Sequence, residues 1–358
     1  MVLGGREILP EFRPLYAKSA LTPPARSAIA GRLSLMGVRL QIAGMQEIAI
    51  QISPEAKGAY FADYLSVARS ELAQLFGPIA ATHWQVGPLE YLRIPAAGIA
   101  PGMLLRLSFA QGLYAVEGEL LRPLDLCVDF RLHEDFVFGS KFRGKTNERL
   151  TQLLLNVGLA AIGGVAPGLR LLDPMCGRAT TLLWALRYGM DASGIEQDAQ
   201  AIDDIHRHLK KWCKLHRQKH TLQEGFLQAR NRQGMGRYLD FAAEGGRMRV
   251  AIGDARQAAL LAGKAPFDLL ISDLPYGVQH LTPEMSRNPL PLLAECAPLW
   301  RQRLRSGGAL VLAFNSNNPK REALSELFVA AGFEPLPFAA PHRMSESIVR
   351  DVLILRAP

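Results

Sequence analysis

Apolar and polar positions change their rhythm near residue 169. From there on, short apolar runs alternate with amphipathic stretches. Leu169 to Asp173, Ala192 to Ile195, Arg249 to Ile252, Phe267 to Asp273 and Ala309 to Phe314 read as strands. Between them the spacing predicts helices from Thr180 to Arg187, in a long basic stretch after Ile195, over Gln257 to Ala262, from about Pro291 to Leu304, and over Glu322 to Ala331. Two late strands, near Phe333 and from Ile348 to Leu355, finish the chain. Such alternation implies a mostly parallel α/β sheet with both faces covered.

Upstream the pattern is different. Phe61, Leu65, Ala68, Leu72 and Phe76 recur at helical spacing and stop at Gly77-Pro78. Leu104 to Phe109 and Leu113 to Leu121 suggest a hairpin turning at Gln111-Gly112. The first 55 or so residues carry Pro10, Pro14, Pro23, Pro24 and Pro54 and yield no strand. The expected organisation is a small α+β domain over 1–130, a linker and hinge helix over 131–165, and the main α/β domain over 166–358. Thr146 is the expected cap of the hinge helix, which runs through Leu150, Leu153, Leu154 and Val157.

Length and composition narrow the class. A chain of 358 residues suits two domains, and 49% hydrophobic with 21% charged residues excludes a disordered chain. The four cysteines form no CxxC, so neither a disulfide framework nor a zinc cluster is expected. No signal pattern opens the chain and no apolar run is long enough to span a bilayer, which makes cytoplasm the expected location. The net charge of +8 favours a polyanionic partner.

The chemistry gathers at the strand ends. The first strand runs into Asp173-Pro174-Met175-Cys176-Gly177-Arg178-Ala179-Thr180-Thr181, a small-residue turn that lets a ligand approach the backbone. It lacks the Gly-Lys-Ser/Thr of a P-loop, and it lacks G-x-G-x-x-G. The second ends in Glu196-Gln197-Asp198, where a carboxylate can accept from both hydroxyls of a ribose. The third leads into Asp254-Ala255, where a carboxylate can accept from an adenine amine. The fourth ends in Asp273-Leu274-Pro275-Tyr276-Gly277. There an acid can hold an exocyclic amine, proline stiffens the turn, and tyrosine can stack on a planar base. Each signal alone also describes an ordinary turn or cap. Four of them at consecutive strand ends point to a nucleoside cofactor.

With Arg143-Gly144-Lys145-Thr146-Asn147-Glu148, these motifs make residues 140–358 resemble a class I S-adenosylmethionine-dependent methyltransferase. Within that class the chain is most similar to the tRNA guanine-N2 methyltransferases usually found with a THUMP domain, although residues 1–130 show no THUMP pattern. The resemblance implies a Rossmann-like seven-stranded sheet with the last strand antiparallel. It implies S-adenosylmethionine held by Asp173, Met175, Gly177, Thr180, Glu196, Gln197, Asp254, Ala255 and Asp273. Asp273, Leu274, Pro275 and Tyr276 would be the catalytic group, with no metal required. Relatives of this pattern usually carry glycine where this chain has Ala179, a change that is costly if the backbone there has positive φ.

Residues 206–237 form a basic insert, with nine Lys or Arg against one acid, Glu224. Lys210, Lys211, Lys214 and Arg217, together with Arg143 and Lys145 of the hinge, are the expected contacts to RNA phosphates, although a charge run is more often a solvated face. The histidines of the insert offer no compact ligand set with Cys213. The expected activity is methylation of a guanine N2 amine in tRNA. Rival readings are a DNA adenine-N6 methyltransferase and a non-catalytic nucleic-acid-binding protein on the same scaffold.

Overall fold

The computed structural model describes residues 45–142, 145–227, 236–275, 288–345 and 348–358. The first described part is an antiparallel sheet in the order β2-β3-β1-β4-β5. Its strands are β1 (Glu47–Ile52), β2 (Thr82–Val86), β3 (Leu89–Pro95), β4 (Ala110–Glu117) and β5 (Leu120–Pro123). Helices α1 (Pro54–Tyr60), α2 (Tyr64–Phe76) and the short α3 (Pro101–Leu104) accompany it. The hairpin expected at Gln111-Gly112 instead turns at Gly118-Glu119, where Gly118 takes a φ of 63° that suits glycine. Gly112 lies inside β4, opposite Gln51. The expected helix over 59–76 is interrupted at Phe61 and resumes at Tyr64.

Helix α4 (Asp135–Phe138) and helix α5 (Glu148–Ala161) follow. The cap of α5 is Asn147 and not Thr146: the Asn147 side chain accepts from the amides of Arg149 and Leu150.

The second sheet contains β6 (Arg170–Asp173), β7 (Asp191–Glu196), β8 (His220–Phe226), β9 (Arg237–Ala243), β10 (Gly246–Ile252), β11 (Phe267–Asp273), β12 (Leu304–Asn315), β13 (Glu334–Pro335), β14 (His342–Arg343) and β15 (Val349–Arg356). The interleaved helices are α6 (Thr180–Arg187), α7 (Gln200–Leu215), α8 (Ala258–Leu261), α9 (Leu290–Arg301) and α10 (Arg321–Ala330). Strands β10, β7, β6, β11 and β12 pair in parallel, and β15 joins β12 antiparallel, with β13 on its far side. Those are the seven strands expected. Among the described residues the sheet is larger, because β9 pairs antiparallel with β10 and β8 with β9. The basic insert is therefore helix α7 followed by a hairpin strand, and Arg230 and Arg232 lie outside the described residues.

Both faces of the parallel strands are covered, so successive residues enter different cores. Leu171, Leu269 and Val311 pack into the core that contains α5, α6 and α7. Leu172, Leu270, Leu310 and Phe314 pack against Leu293 and Trp300 of α9 and Leu324 and Phe328 of α10. This explains the uninterrupted apolar runs of these strands. It also leaves their carboxyl ends as the sheet's polar edge, which is where open α/β sheets bind ligands.

Candidate active site

Three carboxylates stand at the ends of adjacent parallel strands: Asp173 closes β6, Glu196 closes β7, and Asp254 follows β10. A fourth, Asp273, closes β11 on the other side of β6. Asp173 is 2% exposed and accepts from the Ser272 hydroxyl at 3.0 Å and the Met175 amide at 3.1 Å. Burial, with a smaller contribution from the Asp273 charge, pushes its carboxyl up to about 7.

The turn after β6 is folded back over β7. The Cys176 amide donates to Ile195 O at 2.9 Å, and the Gly177 amide to Glu196 Oε2 at 2.8 Å. Gly194 makes this approach possible, because a Cβ there would stand 2.6 Å from Cys176 Sγ. The Cys176 thiol is buried and pushed up by that burial, as suits a packing residue. Gly177 takes a φ of 53° with open space on its Cβ side. Glu196 Oε1 accepts from the Asp198 amide at 2.9 Å. Each Glu196 oxygen thus has one amide partner, leaving a second lone pair for a hydroxyl. Met175 and Thr180 lie in the same turn, and Gln197 is exposed at the end of β7.

Asp254 is held by its neighbour. Arg256 donates through Nε to Oδ1 and through Nη2 to Oδ2, both at 2.8 Å, and reaches Glu295 at 3.1 Å. The Arg256 guanidinium keeps the Asp254 carboxyl below its usual range. Ala255 beside it is buried. An adenine amine at Asp254 would share the carboxylate with Arg256, a partner the motif reading did not include.

Asp273 also has a cation that the sequence reading missed. Arg350 of β15 is 1% exposed and donates through Nη2 to Asp273 Oδ2 at 3.1 Å. Arg350 stands opposite Asn315 of β12, while Asp273 stands opposite Ala313 of the same strand. The guanidinium therefore crosses the end of β12 to reach β11. The one signal in the sequence was a charged pair, Arg350-Asp351, inside an otherwise apolar strand. Leu274 is buried and its amide donates to Ala313 O at 2.9 Å, with Pro275 next to it. Tyr276 and Gly277 lie outside the described residues.

Lys145 is not at a surface. Its side chain is 7% exposed, and its ammonium donates to Ser140 O at 2.9 Å, to Glu148 at 2.6 Å and to Val137 O. With three internal acceptors it has no reach to a phosphate, which corrects the expected RNA contact. Arg143 lies outside the described residues. Lys210, Lys211 and Lys214 are exposed along α7, whose opposite face buries Ile202, Ile205, Leu209 and Trp212, and Arg217 is exposed in the turn just past its end. Arg237 is occupied by Asp203 at 2.8 Å and Glu224 at 2.6 Å.

These residues suit a cationic nucleoside ligand. The row of carboxylates meets positive charge and hydroxyls, and the turn at Gly177 leaves space beside the backbone.

Ala179 precedes α6 with φ 66° and ψ 24°, the left-handed region. An alanine there is strained by about 1 kcal/mol relative to glycine. Ala179→Gly is therefore expected to raise the unfolding free energy, by less than that full amount because glycine also loosens the unfolded chain. Urea unfolding measures it, and a lowered midpoint at constant slope would contradict the strain.

Residues 149–331, just over half of the chain, match the family described as UPF0020, RMKL-like methyltransferase domain. No curated protein sequence matches the chain. Among solved structures, TrmN from Thermus thermophilus is 16% identical, with a TM-score of 0.41, over 78% of this chain and 59% of its own. A methyltransferase from Pyrococcus furiosus is 14% identical, with a TM-score of 0.39, over 63% and 92%. The magnesium protoporphyrin IX methyltransferase of Synechocystis PCC 6803, solved with bound S-adenosylmethionine, is 14% identical, with a TM-score of 0.37, over 63% and 89%. Likeness this distant carries no argument about substrate. The family match does establish the class: the chain belongs to the family described as UPF0020, RMKL-like methyltransferase domain.

Proposed function

We propose that the chain methylates the exocyclic N2 amine of a guanine in tRNA. The observation that carries this reading is Asp273, at the end of β11 beside the carboxylate row, with its side chain held by the buried Arg350. In this reading Asp173, Met175, Gly177 and Thr180 surround the methionine end of the cofactor, Glu196 and Gln197 the ribose, and Asp254 and Ala255 the adenine. Bound there, S-adenosylmethionine supplies an electrophilic methyl on a sulfonium.

The protein's part is positioning and charge. An aromatic amine keeps its lone pair in conjugation with the ring, so it is a poor nucleophile until its hydrogens are held. The Asp273 carboxylate and the Leu274 carbonyl would accept those hydrogens and turn the nitrogen lone pair toward the methyl carbon. Pro275 keeps the turn rigid and Tyr276 would stack the base, which must leave its helix or loop to enter. The stripe of Lys210, Lys211 and Lys214 on α7, with Arg217 just beyond its end, is the proposed phosphate contact, and the net charge of +8 agrees with it.

Incubating the full chain with tRNA and S-adenosylmethionine, followed by nucleoside analysis, tests the reading. N2-methylguanosine is the expected product. N6-methyladenine in duplex DNA, with tRNA untouched, would replace the reading by its rival. Asp273→Ala is expected to remove most methyl transfer while leaving cofactor affinity within a few-fold of the original, and near-normal turnover would refute the amine-acceptor role.

Cofactor affinity is expected to depend on pH through Asp173. Its carboxyl sits at about 7, so it is largely neutral below that value and ionised above it. A cationic ligand binds the ionised form better, so binding releases a proton below pH 7. Affinity should therefore rise from pH 6 to 8 and level off above, by at most about tenfold per pH unit. Calorimetry in buffers of different ionisation enthalpy reads the proton directly. The slope should vanish in Asp173→Asn, and a persistent slope would assign the proton to another group.

The α7 stripe is tested by salt. Changing Lys210, Lys211 and Lys214 together to Gln should weaken tRNA binding. It should also flatten the log–log salt slope, by about 0.7 to 0.9 for each phosphate that is no longer neutralised. Trp212 is kept, so packing is preserved. Parallel slopes and equal affinities would leave the stripe as a solvated face.

A further inference from the structure

Outside the methyltransferase site, one cluster among the described residues brings metal-ligating side chains together. His133 and Asp135 flank the start of α4, and His216 caps the end of α7. One ligand atom from each lies within 4.8 Å of the other two. His216 Nε2 is 2.8 Å from Asp135 Oδ2, and His133 Nδ1 is 3.4 Å from the same oxygen. Tetrahedral zinc with nitrogen and oxygen ligands separates its ligand atoms by about 3.3 Å.

The elements that carry the cluster are locked together. A Cβ at Gly139, just past α4, would stand 2.3 Å from Trp212 Cζ2, so the end of α4 lies directly on that ring. Trp212 Nε1 donates to Ser140 Oγ at 3.1 Å, and buried His208 donates through Nε2 to Phe136 O at 2.7 Å. The plane of the His216 ring is set by stacking. It lies between Trp212, at 5.9 Å, and His133, at 3.7 Å, each within 19° of parallel. Its Nε2 is thereby aimed at Asp135.

The hydrogen bonds leave one contact without a proton. His216 Nε2 donates to the carboxylate. His133 Nδ1 accepts from the Asp135 amide at 3.1 Å, so it presents a lone pair, and that lone pair also faces a carboxylate oxygen. Two electron-rich atoms brought together in this way are what a cation relieves. Two imidazoles and one carboxylate, partly open to solvent, are the donor set of a borderline divalent ion with one position left for water.

We propose that His133, Asp135 and His216 form a zinc-type site that fastens the segment ahead of α5 to the end of the basic helix α7. On binding, the His216 proton passes from Nε2 to Nδ1 by way of solvent, and the half-exposed His133 ring turns out of the stack, exchanging its amide contact for the metal. The site is independent of the methyl-transfer reading. Only His216 comes from the basic insert, and its partners lie about 80 residues upstream, so no ligand spacing within the insert marks it.

The test uses the full chain, stripped with a chelator and titrated with zinc against a chromophoric competitor. One ion per chain should be withdrawn from the competitor. His133→Gln is the deciding variant, because that side chain is 47% exposed and its loss leaves the fold intact. It should weaken zinc binding by at least about tenfold. Cobalt(II) in place of zinc should give visible absorption of a four-coordinate ion, and the band should be lost in His216→Gln, with S-adenosylmethionine binding as the check that this variant is folded. Absence of a retained ion in the wild type, or zinc held equally tightly by His133→Gln, would overturn the site.

Discussion

Helix α5 has no face that tolerates water. Leu150, Leu153, Leu154, Leu155, Val157 and Leu159 are all buried, and so are Thr151, Gln152 and Asn156 between them. A helix that is apolar around its circumference must be packed on every side. Here one side lies on β11, β12 and β15, and the other meets α1 and α2. Gly158 sets the distance to the sheet, since a Cβ there would stand 3.1 Å from Val311 and 3.3 Å from Leu269. Polar residues on α5 fix its rotation. Asn156 donates to Glu71 of α2 at 2.6 Å and to Arg106 O at 2.7 Å, and accepts from Tyr188 at 2.7 Å. Glu71 is fully buried and also accepts from the Ser108 amide and hydroxyl. Each donor in this network would be stranded without its partner, at about 1 to 3 kcal/mol apiece. The antiparallel sheet is thus attached to the second sheet through this helix and its polar network, and also where β14 meets the turn at 61–63, with the Arg343 amide donating to Asp63 at 2.9 Å.

How much of this was visible in the sequence follows from burial. β6, β11 and β12 are covered on both faces, so they appear as continuous apolar runs whatever surrounds them. β8 and β9 sit at an edge and keep polar residues on one face, and their segment reads as part of a basic run. Strand β1 alternates Ile48, Ile50 and Ile52 with Ala49 and Gln51, a short pattern obscured by the prolines around it. The turn at Gly118 and the cap at Asn147 are decided by single dihedrals and single hydrogen bonds, and a neighbouring Gly112 or Thr146 offers the same local chemistry.

The site divides in the same way. The strand-end placement of Asp173, Glu196, Asp254 and Asp273 was legible, because local sequence marks where an apolar strand stops. Their partners were not. Arg350 reaches Asp273 from 77 residues later, and Asp135, inside the linker, meets His216 81 residues on. Lys145 shows the converse, since charge in a motif says nothing about which way an ammonium turns. Three carbonyl or carboxylate acceptors around it decide that.

Arg350 also bears on the charge around Asp173. Asp173 and Asp273 lie close enough for one to raise the other, and one buried guanidinium stands beside Asp273. A second arginine would have ionised Asp173 in advance and filled the ground where a ligand's positive charge belongs. With Asp173 at about 7, the protein instead holds a proton that a sulfonium or ammonium can displace. Once the methyl has left and the sulfur is neutral, part of that attraction is gone. Under the proposed function, the same desolvated carboxylate that would draw the donor in would therefore weaken its hold on the product.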